Sequence, residues 1–406
     1  MSETLFATTV GYEASPNWHH TLTMGVDQNR LAYEGTSFGD LRAKSSDYQR
    51  RTFRYFTNYD TQLSENFSGR FTLGADLVLY DWQEAEGGHD HGEDDDSGHS
   101  HNVIEGWRNL GYYGVAEFGF RDRLYLTVAA RLEQDLRKVS DRHSRPFQPR
   151  AGVSYVFGGD GNTTVKLRAQ WGSSARAPTG EPLVAAGNVL PATNLRPEEA
   201  TNLRPEEKVG WDAGVDIVWA SLGSVSITRF DEEGRDLVMP VILNPGSRPQ
   251  RLQYQNAGLV SNKGWELEAR LVLGPVGLRA NATMADNQIE ALSNYYPPGP
   301  YADHVVGARR INVPKHAGGV SATVNAFLGT VSLDANWIGP TRRPFQPVGY
   351  VAPSWWRMNL RTEQQINDRL TLFARIDNVL NKQDSETYAF QVAQGRTTVI
   401  GLRYTF

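Results

Sequence analysis

The stretch TTVIGLRYTF, residues 397–406, alternates apolar and polar side chains and determines how the rest of the chain is interpreted. Ile400, Leu402 and Tyr404 fall on one face of an extended strand, and Arg403 falls on the other. An apolar face suits lipid, whereas a charged face suits a water-filled lumen. The stretch therefore predicts a strand that crosses a membrane with one side against lipid.

The same alternation recurs along the chain in segments of about ten residues or more. A soluble sandwich also alternates, but its strands average about five or six residues. A tilted strand needs about nine to eleven residues to cross a hydrocarbon core, so the segment length favours a membrane protein. The clearest apolar sets are Leu124, Leu126, Val128, Ala130 and Leu132; Val165, Leu167, Ala169 and Trp171; and Leu267, Ala269, Leu271 and Leu273.

The connectors between these segments alternate between short and long. Short links are predicted at 158–161, 220–223, 273–276 and 366–369. In outer-membrane barrels, short turns lie on the periplasmic side and long loops on the extracellular side. The long segments at about 83–105, 174–207 and 288–314 are therefore predicted to be extracellular loops. Together the segments predict an all-β fold, a transmembrane antiparallel β-barrel wall of about seventeen strands.

Composition agrees with this fold. The 406-residue chain has no cysteine and hence no disulfide framework, which fits an oxidising outer compartment. The mean hydropathy is −0.49, and no apolar run reaches about eighteen residues, which excludes a helical membrane protein. The 10 tryptophan, 17 tyrosine and 16 phenylalanine residues suffice for the aromatic belts that barrels carry at both membrane interfaces.

Several functional classes are disfavoured. A net charge of −5 argues against a nucleic-acid partner. The chain contains no Gly-x-Ser-x-Gly elbow, no phosphate-binding glycine-rich loop, no His-Glu-x-x-His motif and no cysteine nucleophile, so we predict that it is not an enzyme. The acid pairs Glu198-Glu199 and Glu232-Glu233 stand beside turn or loop residues and are interpreted as solvated charge.

Several motifs in a fixed order resemble a known family. WGSSARAPT at 171–179 and NLRPE at 194–198 are similar to a strand end and a loop re-entry of that family, and KGWELE at 263–268 follows NAG at 256–258. NVPKH stands at 312–316, IDNVLNK at 376–382, GRT at 395–397 and GLRYTF at 401–406. Over residues 147–406 these motifs resemble those of the TonB-dependent outer-membrane receptors, and the earlier residues resemble them in strand rhythm.

The resemblance implies a receptor in the outer membrane of a Gram-negative bacterium that is energised by the TonB complex through a globular plug. Barrels of this kind have about 22 strands, so residues 1–406 are expected to be the carboxyl-terminal part of one, with the plug and about five strands absent. Lumen-facing charges are then expected to pair across strands or to contact a plug. They are Arg168, Arg270, Arg357, Arg361, Arg375 and Arg403 with Glu266, Glu268 and Asp377.

One predicted extracellular loop carries the ligand signal. Two His-x-His pairs flank an acidic run and hold four of the nine histidines of the chain. Imidazole nitrogens and carboxylate oxygens suit zinc, copper or nickel, and the absence of sulfur ligands disfavours Cu(I). Histidine-rich extracellular loops also mark the zinc-uptake branch of the family that the chain resembles. The predicted ligands of transported zinc are His89, Asp90, His91, Glu93, Asp94, Asp95, Asp96, His99 and His101.

Other interpretations remain open at this point. The loop is alternatively a solvated acidic segment that touches metal incidentally. His143 and His304 lie in other loops on the same side, and His316 at a strand start, and a plain surface role is the simpler account of each. The cargo is alternatively an iron siderophore, haem or cobalamin, and a different class of function is a passive pore or adhesin. No resident cofactor is required in any of these cases, and the other expected contact is outer-membrane lipid.

A perfect tandem duplication lies in the long loop at 174–207. The sequence ATNLRPEE at 192–199 is repeated at 200–207. A single repeat is not a solenoid, and adding eight residues to an exposed loop costs little closure entropy, so we interpret it as a replication product. Only the second copy runs directly into the strand predicted at Val209–Trp219, which leaves the first copy as slack.

Overall fold

The computed structural model describes residues 2–37, 40–88, 101–135, 146–158, 161–176, 195–198, 203–243, 250–292, 306–326, 329–342, 350–383 and 394–405, which form β-strands and no helix. The strands are β1 (Ser2–Ser15), β2 (Trp18–Ser37), β3 (Asp40–Ser64), β4 (Phe67–Gly88), β5 (His101–Phe120), β6 (Leu124–Asp135), β7 (Phe147–Gly158), β8 (Thr163–Arg176), β9 (Leu195–Glu198), β10 (Glu206–Trp219), β11 (Gly223–Ile242), β12 (Gln250–Leu273), β13 (Val276–Ala291), β14 (His316–Ala326), β15 (Gly329–Ile338), β16 (Thr341–Arg342), β17 (Val351–Ala352), β18 (Trp355–Asn367), β19 (Leu370–Asp377) and β20 (Thr397–Tyr404). Within these residues, nothing forms an apolar helix of membrane-spanning length.

Seventeen of these strands form one antiparallel sheet in which neighbours in space are neighbours along the chain. Ladders join β1 to β8 in order, β8 to β10, β10 to β15 in order, β15 to β18, and β18 to β20 in order. β9 pairs in parallel with β12, and β16 pairs with β17 in a separate sheet. The all-β antiparallel barrel wall and its count of about seventeen strands are therefore confirmed.

One face of this sheet carries exposed apolar side chains. In β20, Ile400 is 72% exposed and Leu402 66% exposed, and they lie opposite Ala374 and Leu372 of β19. Every second residue continues this apolar surface across the ladders, and a surface of this extent is stable only against lipid. We call this side of each strand the lipid face and the opposite side the lumen face. The alternation read from the sequence is confirmed.

Short turns join the strands at one end of the sheet. Residues 220–222 connect β10 to β11, Gly274-Pro275 connects β12 to β13, and Asp368-Arg369 connects β18 to β19. Gly274 has a φ of 60°, a backbone conformation that strains any residue with a side chain. Three predicted short links are confirmed, and the fourth contains residues 159–160, which lie outside the described residues. By the rule for outer-membrane barrels this end is periplasmic.

At the other end the strands reach further than predicted. β4 continues to Gly88 and β5 begins at His101, so the predicted loop at 83–105 narrows to 89–100. The predicted loop at 174–207 begins after Arg176 and ends before Glu206, with β9 inside it, and the loop at 288–314 begins after Ala291. Backbone pairing between strands continues beyond the membrane, where lipid no longer requires every second side chain to be apolar. The strands predicted from alternation were therefore too short.

The tandem duplication has a different outcome for each copy. The second copy leads directly into β10, as predicted, and β10 begins at Glu206 rather than Val209. The interpretation of the first copy as slack is wrong for Leu195–Glu198, because these residues form β9 and pair with Gln250–Gln253. β12 extends beyond β13 at this point and leaves a strand edge, with which β9 pairs.

Candidate functional site

The predicted metal-binding segment lies at the tip of the β4–β5 hairpin. β4 has 22 residues and β5 has 20, about twice the number that crosses a hydrocarbon core. With a rise of about 3.3 Å per residue and a tilt near about 40°, the extra residues carry the tip on the order of 25 Å beyond the membrane. The two strand ends at Gly88 and His101 therefore lie on the extracellular side, well beyond the hydrocarbon core.

Most of the predicted metal ligands lie outside the described residues. These are His89, Asp90, His91, Glu93, Asp94, Asp95, Asp96 and His99. Only the backbone of His101 is described, as the first residue of β5 opposite Glu86. His143 and His304 also lie outside the described ranges. In the described part of the chain, no group of three or more histidine, aspartate or glutamate side chains lies close enough to hold a metal ion.

The described histidines have other surroundings. His316 stacks on Trp337 with ring centroids 6.2 Å apart. His20 Nδ1 lies 2.8 Å from the Tyr55 hydroxyl, and His19 Nε2 lies 3.1 Å from the carbonyl oxygen of Pro16. His316 and His20 are therefore parts of aromatic clusters on the lipid face, and His19 is part of a periplasmic turn.

The lumen face contains a polar cavity of about 590 Å³ on the wall formed by β6, β7, β8, β10 and β11. The alternation of these strands brings charged and amide side chains from neighbouring strands to one surface. The polar and charged side chains that line it include Tyr125, Arg150, Lys166, Arg168, Gln170, Lys208, Asp212 and Glu232. This surface can bind a polar or charged occupant of the lumen.

Arg168 is the centre of the ion-pair network in this cavity. Its Nη1 donates to Asp212 Oδ1 at 3.2 Å, its Nε to Asp216 Oδ2 at 3.2 Å and its Nη2 to Thr228 Oγ1 at 2.6 Å. Arg150 and Lys166 line the same cavity, and neither has an ion-pair partner among the described residues. The network therefore fixes one cation of the wall and leaves two cations available to an occupant.

Lys208 and Glu232 form a second ion pair in the cavity, with Nζ 2.8 Å from Oε2. Asn262 of the next strand donates to the same carboxylate at 3.2 Å. The interpretation of Glu232 as a solvated charge beside a turn is therefore wrong, because Glu232 lies inside β11 on the lumen face. Alternation continued from Ile227 would have assigned it to this face.

On the lumen face nearer the periplasm, two pairs of arginines lie directly opposite each other. Arg270 of β12 pairs in register with Arg279 of β13, and Arg361 of β18 pairs with Arg375 of β19. Arg375 Nε is 2.9 Å from Asp377 Oδ2. Arg270 and Arg279 have no such carboxylate among the described residues, and like charges directly opposite destabilise a ladder. Cross-strand pairing is thus confirmed at Arg168, whereas at Arg270 the alternative expectation, contact with a plug, stays a prediction.

Replacing Arg279 by threonine is expected to raise the stability of the chain, by about 0.5 kcal/mol, because it removes a like-charge cross-strand pair. The measurement is the denaturant dependence of tryptophan fluorescence in detergent. Arg375→Thr is the matched control, since it removes an arginine that has a carboxylate partner, and it is expected to leave stability unchanged or lower it. A loss of stability in Arg279→Thr would contradict the assigned repulsion.

Among the described residues, the most buried ion pair of the lumen face joins β4 and β6. Asp76 accepts from Arg131 Nη1 at 2.8 Å and from Nη2 at 2.9 Å, and Arg131 Nε donates to Glu133 at 2.8 Å. The side chain of Asp76 is only 9% exposed. The guanidinium also lies 5.9 Å from the centroid of the Tyr113 ring. This cluster links three strands through one cation.

Glycines on the lumen face receive large side chains from the neighbouring strand. The Tyr113 ring lies over Gly74, the Arg131 guanidinium lies over Gly111, and Phe373 Cζ is 2.5 Å from the place that a Cβ of residue 401 would take. A side chain at these glycines would displace the ring or guanidinium. The large groups therefore lie flat along the wall at these glycines.

Comparison with protein families and solved structures agrees with this geometry. The family model described as "TonB dependent receptor-like, beta-barrel" matches residues 3–379. No curated protein matches the chain. The fold is similar to the ferripyoverdine receptor of the outer membrane of Pseudomonas aeruginosa bound to ferripyoverdine, with a TM-score of 0.74 and 14% identity, over 99% of this chain and 56% of that one.

Two further structures are similar in fold. The siderophore receptor PiuA from Acinetobacter baumannii has a TM-score of 0.73 and 15% identity, over 99% of this chain and 64% of that one. The copper transporter OprC has a TM-score of 0.70 and 14% identity, over 100% of this chain and 65% of that one. The chain thus spans between about half and two thirds of the length of the solved structures that it resembles.

Proposed function

The chain belongs to the TonB-dependent receptor β-barrel family of the Gram-negative outer membrane, and on that premise we propose that it forms the wall of a receptor that takes up a metal ion, with zinc as the preferred cargo. The TonB complex supplies the energy through a plug in the lumen. Zinc is captured first by His89, His91, His99 and His101 together with the acidic residues between them. The chain carries no catalytic step in this proposal.

The height of the β4–β5 hairpin is the observation that supports metal capture. The strands of the hairpin extend on the order of 25 Å beyond the hydrocarbon core, and the two His-x-His pairs lie in the sequence between the end of β4 and the start of β5. A segment held in this way meets dilute ions before they reach the lumen. Neutral imidazoles and carboxylates form four-coordinate zinc sites, and glycines at 87–88, 92 and 98 allow the segment to fold around an ion.

A second candidate cargo is a negatively charged metal chelate such as an iron siderophore. Arg150 and Lys166, which have no ion-pair partner among the described residues, and the arginine pair Arg270 and Arg279 favour an anionic occupant of the lumen. Solved structures of similar fold include siderophore receptors and a copper transporter. In this case the histidine segment is accessory. No described feature favours a passive pore or an adhesin.

Binding of a panel of ligands to the detergent-solubilised chain tests the proposal. We expect zinc to bind at least about tenfold more tightly than calcium or magnesium, because imidazole ligands favour zinc. Ferric siderophores, haem and cobalamin are measured alongside, first alone and then with saturating zinc. Tight binding of a ferric chelate with no measurable zinc binding would replace the first candidate by the second. Binding of none of these ligands would contradict both.

A further inference from the structure

Two arginines on the lipid face lie on either side of a leucine. In register, Arg51 of β3 is opposite Leu79 of β4, and Leu79 is opposite Arg108 of β5. Strands in a sheet are about 4.8 Å apart, so the Cα atoms of the two arginines are about 10 Å apart. Their guanidinium groups therefore reach the same small group from two sides.

The heights of these arginines along their strands place them in the headgroup region of the outer leaflet. Trp171, Trp211 and Trp265 lie on the lipid face, each the ninth residue from the periplasmic end of its strand, and form the outer aromatic belt. Arg108 is the thirteenth residue from that end of β5, and Arg51 is the fourteenth from that end of β3. Four further residues raise a side chain on the order of 10 Å above the belt.

The two arginines differ in how far protein groups satisfy them. Arg51 forms an ion pair with Asp81, with Nη2 2.8 Å from Oδ2, and its buried Nε has no acceptor among the described residues. Arg108 is exposed and has no ion-pair partner in the described part of the chain. Arg30 of the neighbouring strand β2 is paired with Asp47 at 2.8 Å and lies four residues further from the periplasm than Val26, the register partner of Arg51. Guanidinium groups bind phosphate through paired N–H donors.

Below the arginines the same face is apolar and exposed. Leu73 is 65% exposed, Tyr112 52% and Phe53 41%. We propose that Arg51 and Arg108 bind the phosphate of an outer-leaflet lipid whose acyl chains lie along these three side chains. The same lipid molecule then makes both contacts: its acyl chains pack against the apolar surface, and its phosphate binds the arginines at the upper edge of that surface. The proposal depends on the fold and its orientation in the membrane and not on the identity of the transported cargo.

Native mass spectrometry of the detergent-solubilised chain with diphosphorylated lipid A tests the site. In the variant Arg51→Gln/Arg108→Gln we expect the dissociation constant to rise about tenfold or more, since each surface arginine contributes about 1 kcal/mol to binding an anionic lipid. Arg235→Gln is the matched control, because Arg235 is the thirteenth residue of β11 on the same face, but it is paired with Glu233 and lies opposite a second carboxylate, Glu207, in register. It is expected to change the constant by less than about twofold.

Three results would overturn the proposal. They are unchanged lipid affinity in the double variant, equal affinity for lipid A without phosphates, and displacement of the lipid by inorganic phosphate in moderate excess, which would indicate a site for free anions. Thermal unfolding of each variant without lipid checks the fold. Should the double variant fail to fold, Arg108→Gln alone provides the test, because Arg108 is exposed and unpaired among the described residues.

Discussion

Replacing His89, His91, His99 and His101 by alanine is expected to lower the zinc affinity of the chain by at least about tenfold, because loss of imidazole ligands removes the donors that zinc prefers over carboxylates. The remaining acidic run binds hard cations weakly, so selectivity for zinc over calcium falls as well. Isothermal titration of zinc into the detergent-solubilised chain measures both the affinity and the number of ions bound. Unchanged affinity and stoichiometry would remove the histidine segment from the proposed function.

A matched control separates this effect from the general loss of histidines. The triple variant His19→Ala, His143→Ala and His304→Ala removes histidines outside the segment and is expected to retain the zinc affinity. A second control replaces Asp94, Asp95 and Asp96 by asparagine, which keeps the imidazoles and is expected to weaken binding less than the histidine variant does. An equal loss in the triple histidine control would mean that the metal site extends into other loops.

The pH dependence provides an independent readout. Zinc binds neutral imidazole, and free histidine takes up a proton at about pH 6.5. Because protonated imidazole cannot bind zinc, the zinc affinity of the unmodified chain is expected to fall between about pH 7.5 and about pH 5.5. The histidine variant lacks these groups and should show a much smaller change over the same range. The same steep fall in both would assign the metal to other ligands.

The two faces of the barrel wall were predictable because lipid constrains every second residue. Ile400 and Leu402 alternate with Arg403 in β20, and the exposed apolar surface follows this alternation across the sheet. One residue of shift would turn the charges towards hydrocarbon, so the sequence has little freedom inside the membrane. The number of strands and the positions of three short turns followed from the same constraint.

The ends of the strands beyond the membrane were not predictable in this way. Glu232 and Glu233 lie inside β11, and β4 continues to Gly88. In water both faces of a strand tolerate charge, so the pattern that marks a strand disappears while backbone pairing continues. Residues 83–88 therefore resembled a loop in sequence although they form a ladder with β3.

The partners of the lumen charges required the register between strands. Arg168 and Arg270 occupy equivalent positions in the alternation, and both were expected to pair across strands or to contact a plug. Register brings Asp212 and Asp216 to Arg168, whereas it brings Arg279 to Arg270. Turn geometry and bulges set this register, and neither is specified by alternation alone. The same limit applied to Asp76 and Arg131, which are 55 residues apart in sequence.

Substitution of Asp76 by alanine is expected to destabilise the chain by about 3 kcal/mol, because it leaves the Arg131 guanidinium in a mostly covered position without its bidentate partner. In this variant Arg131 Nε still donates to Glu133 Oε1, 2.8 Å away, so the loss of stability stays below that of a buried guanidinium without any carboxylate partner. Denaturant unfolding of the chain in detergent, followed by tryptophan fluorescence, measures the free energy of unfolding.

Asp60→Ala is the control for this prediction. Asp60 accepts from Arg70 Nε at 2.6 Å on the same lumen face, but the two side chains are 40% and 58% exposed. Exposed ion pairs contribute less than about 1 kcal/mol, so this variant should remain close to the unmodified chain. Equal losses in the two variants would show that burial does not distinguish the pairs.

A double variant tests the cause of the loss. If the cost arises from an unpaired guanidinium, then Asp76→Ala combined with Arg131→Met should be more stable than Asp76→Ala alone, since an apolar side chain needs no counter-charge. Methionine at 131 can still lie over Gly111, where the guanidinium lies now. If instead the free energy of unfolding falls further in the double variant than in Asp76→Ala alone, then Arg131 stabilises the wall through Glu133 and Tyr113, independently of Asp76.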